Sequence, residues 1–204
     1  MALLAESLVE EWLNRKGFFT IRGVKHGAGE MDLLAVSPQP NGVIGWHIEV
    51  QVSFRPIGYI SKQTLTGDSG RTHSYVRART RTQEEACARG WVGAKFRDPD
   101  KAQLRERLWP GIAWSFHLVH GVVRYPRELE VFASEGVTCH PFHQLLSDLS
   151  RHDGHPFSGS AGGDLAEIVG YYKTHETGSA QPGCFRQRRD YASVHRRTPS
   201  PRRA

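Results

Sequence analysis

The chain has 204 residues, 38% of them apolar and 24% charged, with a formal net charge of +6. That length suits one domain of ordinary size with some chain to spare, and no apolar run approaches the roughly 20 residues that a membrane-spanning helix needs. Three widely spaced cysteines, Cys87, Cys139 and Cys184, form no CxxC pair, which argues against a disulfide framework or a cysteine zinc site.

Residues 2–16 predict an amphipathic helix. At about 100° per residue, Leu4, Ala5, Leu8, Val9, Trp12 and Leu13 share one arc, with Glu10 opposite and Glu6 and Glu11 at the arc's edges. The same stretch lacks the basic start of a secretory leader and is interrupted early by acids, so a cytoplasmic protein is expected. GFFTIRGV (17–24), EMDLLAV (30–36) and VIGWHIEVQVSF (43–54) read as three strands, separated by KHGAG (25–29) and SPQPNG (37–42). Residues 55–80 carry no sustained periodicity and read as a long basic loop. Helices are expected over 82–96 and over 100–109, the second starting after Asp98-Pro99, then a strand over 112–123, a helix over 126–135, a short strand over 136–140 and a helix over 141–149. Residues 151–163 are linker-like, 164–176 suit an isolated terminal helix, and 177–204 have the composition of a disordered basic tail. The order α-β-β-β-α-β-α-β-α predicts one mixed α/β domain over residues 1–150, a linker and terminal helix over 151–176, and a tail beyond.

The excess positive charge is concentrated. Residues 55–81 hold six basic side chains (Arg55, Lys62, Arg71, Arg77, Arg79 and Arg81) against Asp68, and residues 176–204 hold seven arginines against two acids. The rest of the chain is slightly acidic. A basic cluster of this kind suits a polyanion such as nucleic acid. Arg55, Lys62, Arg71, Arg77 and Arg79 are therefore candidate phosphate contacts.

The stretch WHIEVQVSF (46–54) alternates Ile48, Val50 and Val52 with His47, Glu49 and Gln51, the period of a strand. Upstream, Asp32 is flanked by Met31, Leu33 and Leu34. If these two strands pair antiparallel, Asp32 and Glu49 lie side by side, and two adjacent carboxylates repel unless a cation sits between them. Mg²⁺ accepts one or two protein carboxylates while keeping waters for a phosphate substrate. His47 shares Glu49's face, where it could touch phosphate or water near the site, although a hydrogen-bonded structural histidine is the stronger expectation. Glu30 shares the parity of Asp32 and is expected to be a solvated turn acid. His117, His120, His140 and His143, with Cys139, match no zinc-module spacing.

The stretches AESLVEEWLNRKGFF, GEMDLLAV and HIEVQVS, in this order, resemble the PD-(D/E)XK nuclease superfamily, and within it the Holliday-junction resolvase-like nucleases. The resemblance covers residues 5–53. It implies a restriction-endonuclease-like core (αβββαβ) with a mixed central sheet flanked by helices. It also implies a metal-dependent DNA endonuclease, acting as a homodimer on branched or junction DNA, with a restriction or defence role on duplex DNA as the alternative. By position, Glu6 matches the helical acid, Asp32 the central aspartate, Glu49 the second acid and Gln51 the lysine position. Asp32, Glu49 and the carbonyl of Val50 would hold Mg²⁺ or Mn²⁺, with Glu6 reaching the ion through water. Gln51 departs from the pattern. Its amide can donate to water or a phosphate oxygen but brings no positive charge, leaving open a catalytically inactive nucleic-acid-binding module.

Overall fold

The computed structural model describes residues 2–27, 29–53, 55–61, 79–151 and 161–178. The first helix, α1 (Ala2–Arg15), buries Leu8, Val9, Trp12 and Leu13. It stops at Gly17, whose φ of 81° is a conformation that side chains with a Cβ seldom adopt. The Phe18 amide then returns to the Leu13 carbonyl at 3.1 Å.

Strands β1 (Phe19–His26), β2 (Gly29–Gln39) and β3 (Gly42–Gln51) follow as an antiparallel meander. The expected turn over 37–42 is shorter than its composition implies. Ser37, Pro38 and Gln39 pair with Ile44, Val43 and Gly42, so only Pro40 and Asn41 remain between the strands. Conversely, β3 ends at Gln51 rather than Phe54.

Helices α2 (Arg81–Phe96) and α3 (Pro99–Leu108) lead to strand β4 (Trp114–His120). Thr80 and Gln83 form a reciprocal capping box on α2, while the Asp98 carboxylate accepts from the Asp100 and Lys101 amides at the start of α3. Helix α4 (Arg127–Ser134), strand β5 (Val137–Pro141), and helices α5 (Phe142–Leu149) and α6 (Ala161–Gly178) complete the order.

The result is a five-stranded mixed sheet, β1-β2-β3-β4-β5, flanked by helices on both faces. The first two pairings are antiparallel and the last two parallel. On one face Leu33, Ala35, Ile48, Val50 and Val119 pack against α1 and α5. On the other, Leu118 and Val137 pack with Ala88, Val92 and Phe96 of α2 and Phe132 of α4, while Met31 and Leu34 meet Leu104 of α3. Among the described residues no helix is long and apolar enough to cross a membrane.

Two stretches are tied to the core. Residues 55–61 belong to no helix or named strand, as expected of a loop, but they are anchored: Ile57 bridges Val123, and Ile60 is buried in the α2–α4 core. These two isoleucines give the segment an apolar anchor that its surrounding charge obscures. Helix α6 does not stand apart either. Ala166 is buried in the same core as α1, and a Cβ on Gly162 would fall 2.3 Å from the Ser7 carbonyl oxygen. The helix also runs to Gly178, two residues into the tail expected over 177–204; residues 179–204 and most of the expected linker lie outside the described residues.

Close backbone approach also fixes the far end of β3. A Cβ on Gly121 would sit 2.6 Å from the Ser53 carbonyl oxygen, whereas one on Gly93 in α2 meets nothing within 4 Å. In urea titrations Gly121→Ala is expected to lose about 1–3 kcal/mol, because the obstacle is backbone and cannot step aside. Gly93→Ala is expected to gain about 0.5–1 kcal/mol from helix propensity alone.

Candidate functional site

The last cross-strand pair between β2 and β3 at the end towards Gln51 is Leu33 with Ile48. Beyond it the strands part: β2 stays paired with β1 as far as Gly29, and β3 stays paired with β4 as far as Gln51. Asp32 and Glu49 are therefore the first residues past the fork. A parting strand leaves backbone donors without ladder partners, and such groups are costly when buried. Here the Val50 amide donates instead to Asp32 Oδ2 at 2.7 Å. The Glu49 charge acts on the Asp32 carboxyl across the fork.

Glu49 does not face solvent. Its side chain is wholly buried on the face that also carries His47, under α2 and α3. Lys95 of α2 donates from Nζ to Glu49 Oε2 at 2.6 Å, and Lys101 of α3 places its ammonium 3.8 Å from Oε1. Lys101 also donates to the Glu30 and Lys95 carbonyls, at 3.2 Å each. A surface depression of about 460 Å³ is lined by Gly29, Glu30, Lys95, Asp98 and Lys101 among others; it reaches the two lysines, and neither Asp32 nor Glu49 lines it.

The electrostatics follow from this crowding. Burial and then the Glu49 charge push the Asp32 carboxyl up to about 6, against the opposing pull of the Val50 amide and Lys95. Burial also raises Glu49, with Lys95 opposing. At Lys95, burial alone would lower the pKa, but Glu49, Asp32 and Glu30 outweigh it and leave it raised. Lys101 is lowered by burial despite Glu49. The Lys95 ammonium thus lies where the fields of three carboxylates converge, the position a bound cation would favour.

The remaining expected site residues fall into three groups. Glu6 is half-buried on α1, and its carboxyl is raised by burial and by the charges of Asp32, Glu30 and Glu49, so it belongs to the same electrostatic cluster. Gln51 is half-buried at the end of β3, with its carbonyl accepting from the Gly121 amide at 3.2 Å. Val50 reaches Asp32 through its amide, not its carbonyl. Glu30 is exposed as expected, but it lies in β2 opposite Lys25 and not in a turn, and its carbonyl accepts from Lys101.

Among the basic residues, Arg55 is exposed, and Lys62, Arg71 and Arg77 lie outside the described residues. Arg79 is turned inward. It donates to the Ser61 carbonyl at 2.7 Å and the Ser61 hydroxyl at 2.9 Å, lies 3.4 Å from Glu128 Oε1, and packs over the Tyr59 ring. The buried Glu128 carboxylate also accepts from the Ile60 amide at 2.6 Å and from the Ser61 amide and hydroxyl. Ser61 and Arg79 therefore meet at one acid.

Lys95 and Lys101 carried no role in the sequence reading. A signal was present: Ala88, Val92, Lys95 and Phe96 share one helical stripe, as do Lys101, Leu104 and Arg105, so cations interrupt faces that turn inward. What the pattern does not contain is their partner, 46 residues away in the case of Lys95.

His117 and His140 are joined at 2.9 Å and stacked beneath Trp46, with the second His117 nitrogen on Ser115. Among the described residues no group of three or more His, Cys, Asp or Glu side chains is arranged to hold a metal ion. Asp32 and Glu49 offer only carboxylate oxygens, the donor type that a hard divalent cation takes, and the two Glu49 oxygens are here engaged by Lys95 and His47.

No family model matches the chain, and no curated protein matches it. Among solved structures, it is similar to a crystal structure of a protein of unknown function, AF1548, with 12% identity and a TM-score of 0.44 over 87% of this chain and 99% of that one. At that level neither fold nor activity transfers.

Two outcomes follow for stability. The raised Asp32 carboxyl binds its proton more tightly in the folded chain than at its ordinary value of 3.8. The destabilisation is therefore absent below pH 3.8, grows through that window and is complete above about 6. Asp32→Asn is expected to become more stable than wild type across that window, by on the order of 2 kcal/mol, in denaturant titrations at successive pH values. Glu128→Ala, which strands two amides and a partly buried guanidinium, is expected to cost about 3–5 kcal/mol by urea unfolding.

Proposed function

We propose that the chain is a divalent-metal-dependent DNA endonuclease of the PD-(D/E)XK type, with a restriction-endonuclease-like core. The observation that carries this reading is the fork at Asp32 and Glu49, where the Val50 amide donates to Asp32 and the Lys95 ammonium donates to Glu49. Asp32 and Glu49 would hold Mg²⁺ or Mn²⁺, and the ion would supply Lewis acidity toward a phosphodiester oxygen.

The chain's own groups have separate tasks. The Val50 amide fixes the Asp32 carboxylate with one oxygen engaged. Lys95 supplies the positive charge that Gln51 lacks, from α2 instead of β3. With Glu49 holding a metal, the Lys95 ammonium, now on Glu49 Oε2, would be able to neutralise a phosphate oxygen or hold a water. Gln51 can donate an amide proton to that water. Glu6, already in the field of Asp32, would act through a water. Arg55 and the basic residues 62–77 would neutralise flanking phosphates, giving binding a steep salt dependence. Arg79, engaged with Ser61 and Glu128, would anchor that segment rather than touch DNA.

Junction DNA is the leading substrate and duplex DNA the second, and a homodimer would match the two symmetric incisions that a junction requires. The test is cleavage of labelled four-way junction, linear duplex and single-stranded DNA with Mg²⁺, Mn²⁺ or EDTA. Metal-dependent cutting is expected, abolished in Asp32→Ala and reduced about 100-fold or more in Lys95→Met. Wild-type thermal stability should rise with Mn²⁺, and that of Asp32→Ala should not. Tight, salt-sensitive DNA binding by wild type and Asp32→Ala alike, without cleavage, would instead identify a nucleic-acid-binding module.

A further inference from the structure

His47 is completely buried beneath α2 and α3, and it connects two charged groups. Arg105 Nη1 lies 3.0 Å from His47 Nδ1, and His47 Nε2 lies 3.3 Å from Glu49 Oε1. A guanidinium has donors and no acceptor, so Nδ1 must accept and the ring proton must sit on Nε2. The imidazole therefore donates to Glu49. The order of donation runs Arg105 to His47 to Glu49, from α3 into the sheet.

Each member is held by something else. The His47 ring lies edge-on to Phe96 and Phe116, with centroids at 4.9 and 6.2 Å. Arg105 is 5% exposed, donates from Nη2 to the Phe96 carbonyl at 3.0 Å, and lies over the Phe116 ring. Neither residue reaches the surface depression. Burying an arginine against a neutral ring is costly if packing is the sole purpose, because an apolar pair would fill the space without desolvating a charge. The arrangement becomes intelligible once Glu49 is included: its Oε1 is tied to the relay, and Oε2 is left pointing at the Lys95 ammonium.

We infer that His47, oriented by Arg105, is a positioning residue that locks the Glu49 carboxylate with Oε2 presented to the cation site. The inference rests on the metal-site reading above. It extends that reading to two residues that touch neither metal nor substrate, the role that outer-shell partners play for metal-binding carboxylates.

Two measurements on the full chain test it. The first is the imidazole ¹⁵N spectrum of the metal-free wild type, with His47 assigned by its loss in His47→Phe or, should that variant not fold, in His47→Gln. A protonated Nε2 and bare Nδ1 are expected; a protonated Nδ1 would overturn the relay. The second is calorimetric titration with Mn²⁺ of wild type, His47→Phe, Arg105→Met and, as a control on the opposite face, His117→Phe. The first two variants should bind Mn²⁺ about 10- to 100-fold more weakly, and the control should match wild type. Circular dichroism should show all three folded. Folded His47→Phe with wild-type affinity would overturn the inference and leave the metal site standing. Wild type that binds no Mn²⁺ would overturn the metal site and the inference together.

Discussion

A carboxylate placed out of reach of water costs several kcal/mol unless charge and hydrogen bonds surround it. Glu49 is such a group, fully buried in the middle of a sheet. The elements on its side of the sheet are arranged as its compensation. Lys95 engages one oxygen, His47 the other, and Lys101 stands behind. These partners come from β3, α2 and α3, so the two helices must cross the sheet at this point. They are also tied to each other there: Lys101 donates to the Lys95 carbonyl and Arg105 to the Phe96 carbonyl. The last turn of α2 is thereby fastened to α3 across the short connection capped by Asp98. Satisfying one acid and joining two helices are the same set of contacts.

The opposite face of the same strand obeys different physics. Trp46, Ile48 and Val50 look toward α1 and α5, where Trp12, Phe18 and Leu145 close an apolar core. Even its histidines behave as aromatics. His117 stacks on Trp46 with centroids 3.9 Å apart, and burial together with the neighbouring His140 pushes its pKa to about 3. A ring held neutral and face-to-face with tryptophan is a packing element. On β3 itself, then, one face carries buried charge and the other packs as an apolar surface.

The basic segment also has a structural root. Ile57 and Ile60 pin its start to the core, and Glu128 gathers the Ile60 and Ser61 amides with the Arg79 guanidinium. Tyr59 accepts the Arg79 amide at 2.9 Å and stacks on Tyr125. Positive charge counted along a sequence thus includes at least one arginine spent on architecture. Charge density alone does not separate a guanidinium aimed at a phosphate from one aimed at a buried glutamate.

Periodicity and local chemistry, which are properties of neighbouring residues, were readable in the sequence. Alternation in 46–52 placed His47, Glu49 and Gln51 on one face, and the antiparallel pairing that brings Asp32 beside Glu49 followed from two consecutive strands and a tight turn. The stop at Gly17 was equally local, and so was the start of α3, which falls at Pro99 with Asp98 as its cap, one residue before the expected start. Lys95 on Glu49, Arg105 on His47, the packing of α6 on α1 and the inward turn of Arg79 were decided by tertiary structure alone. Each is a contact between residues at least 18 apart, set by how helices cross a sheet, and a one-dimensional pattern carries no record of that crossing. The sequence could mark Lys95 and Arg105 as charges on inward-facing stripes; only the fold could say which buried acid they were there to meet.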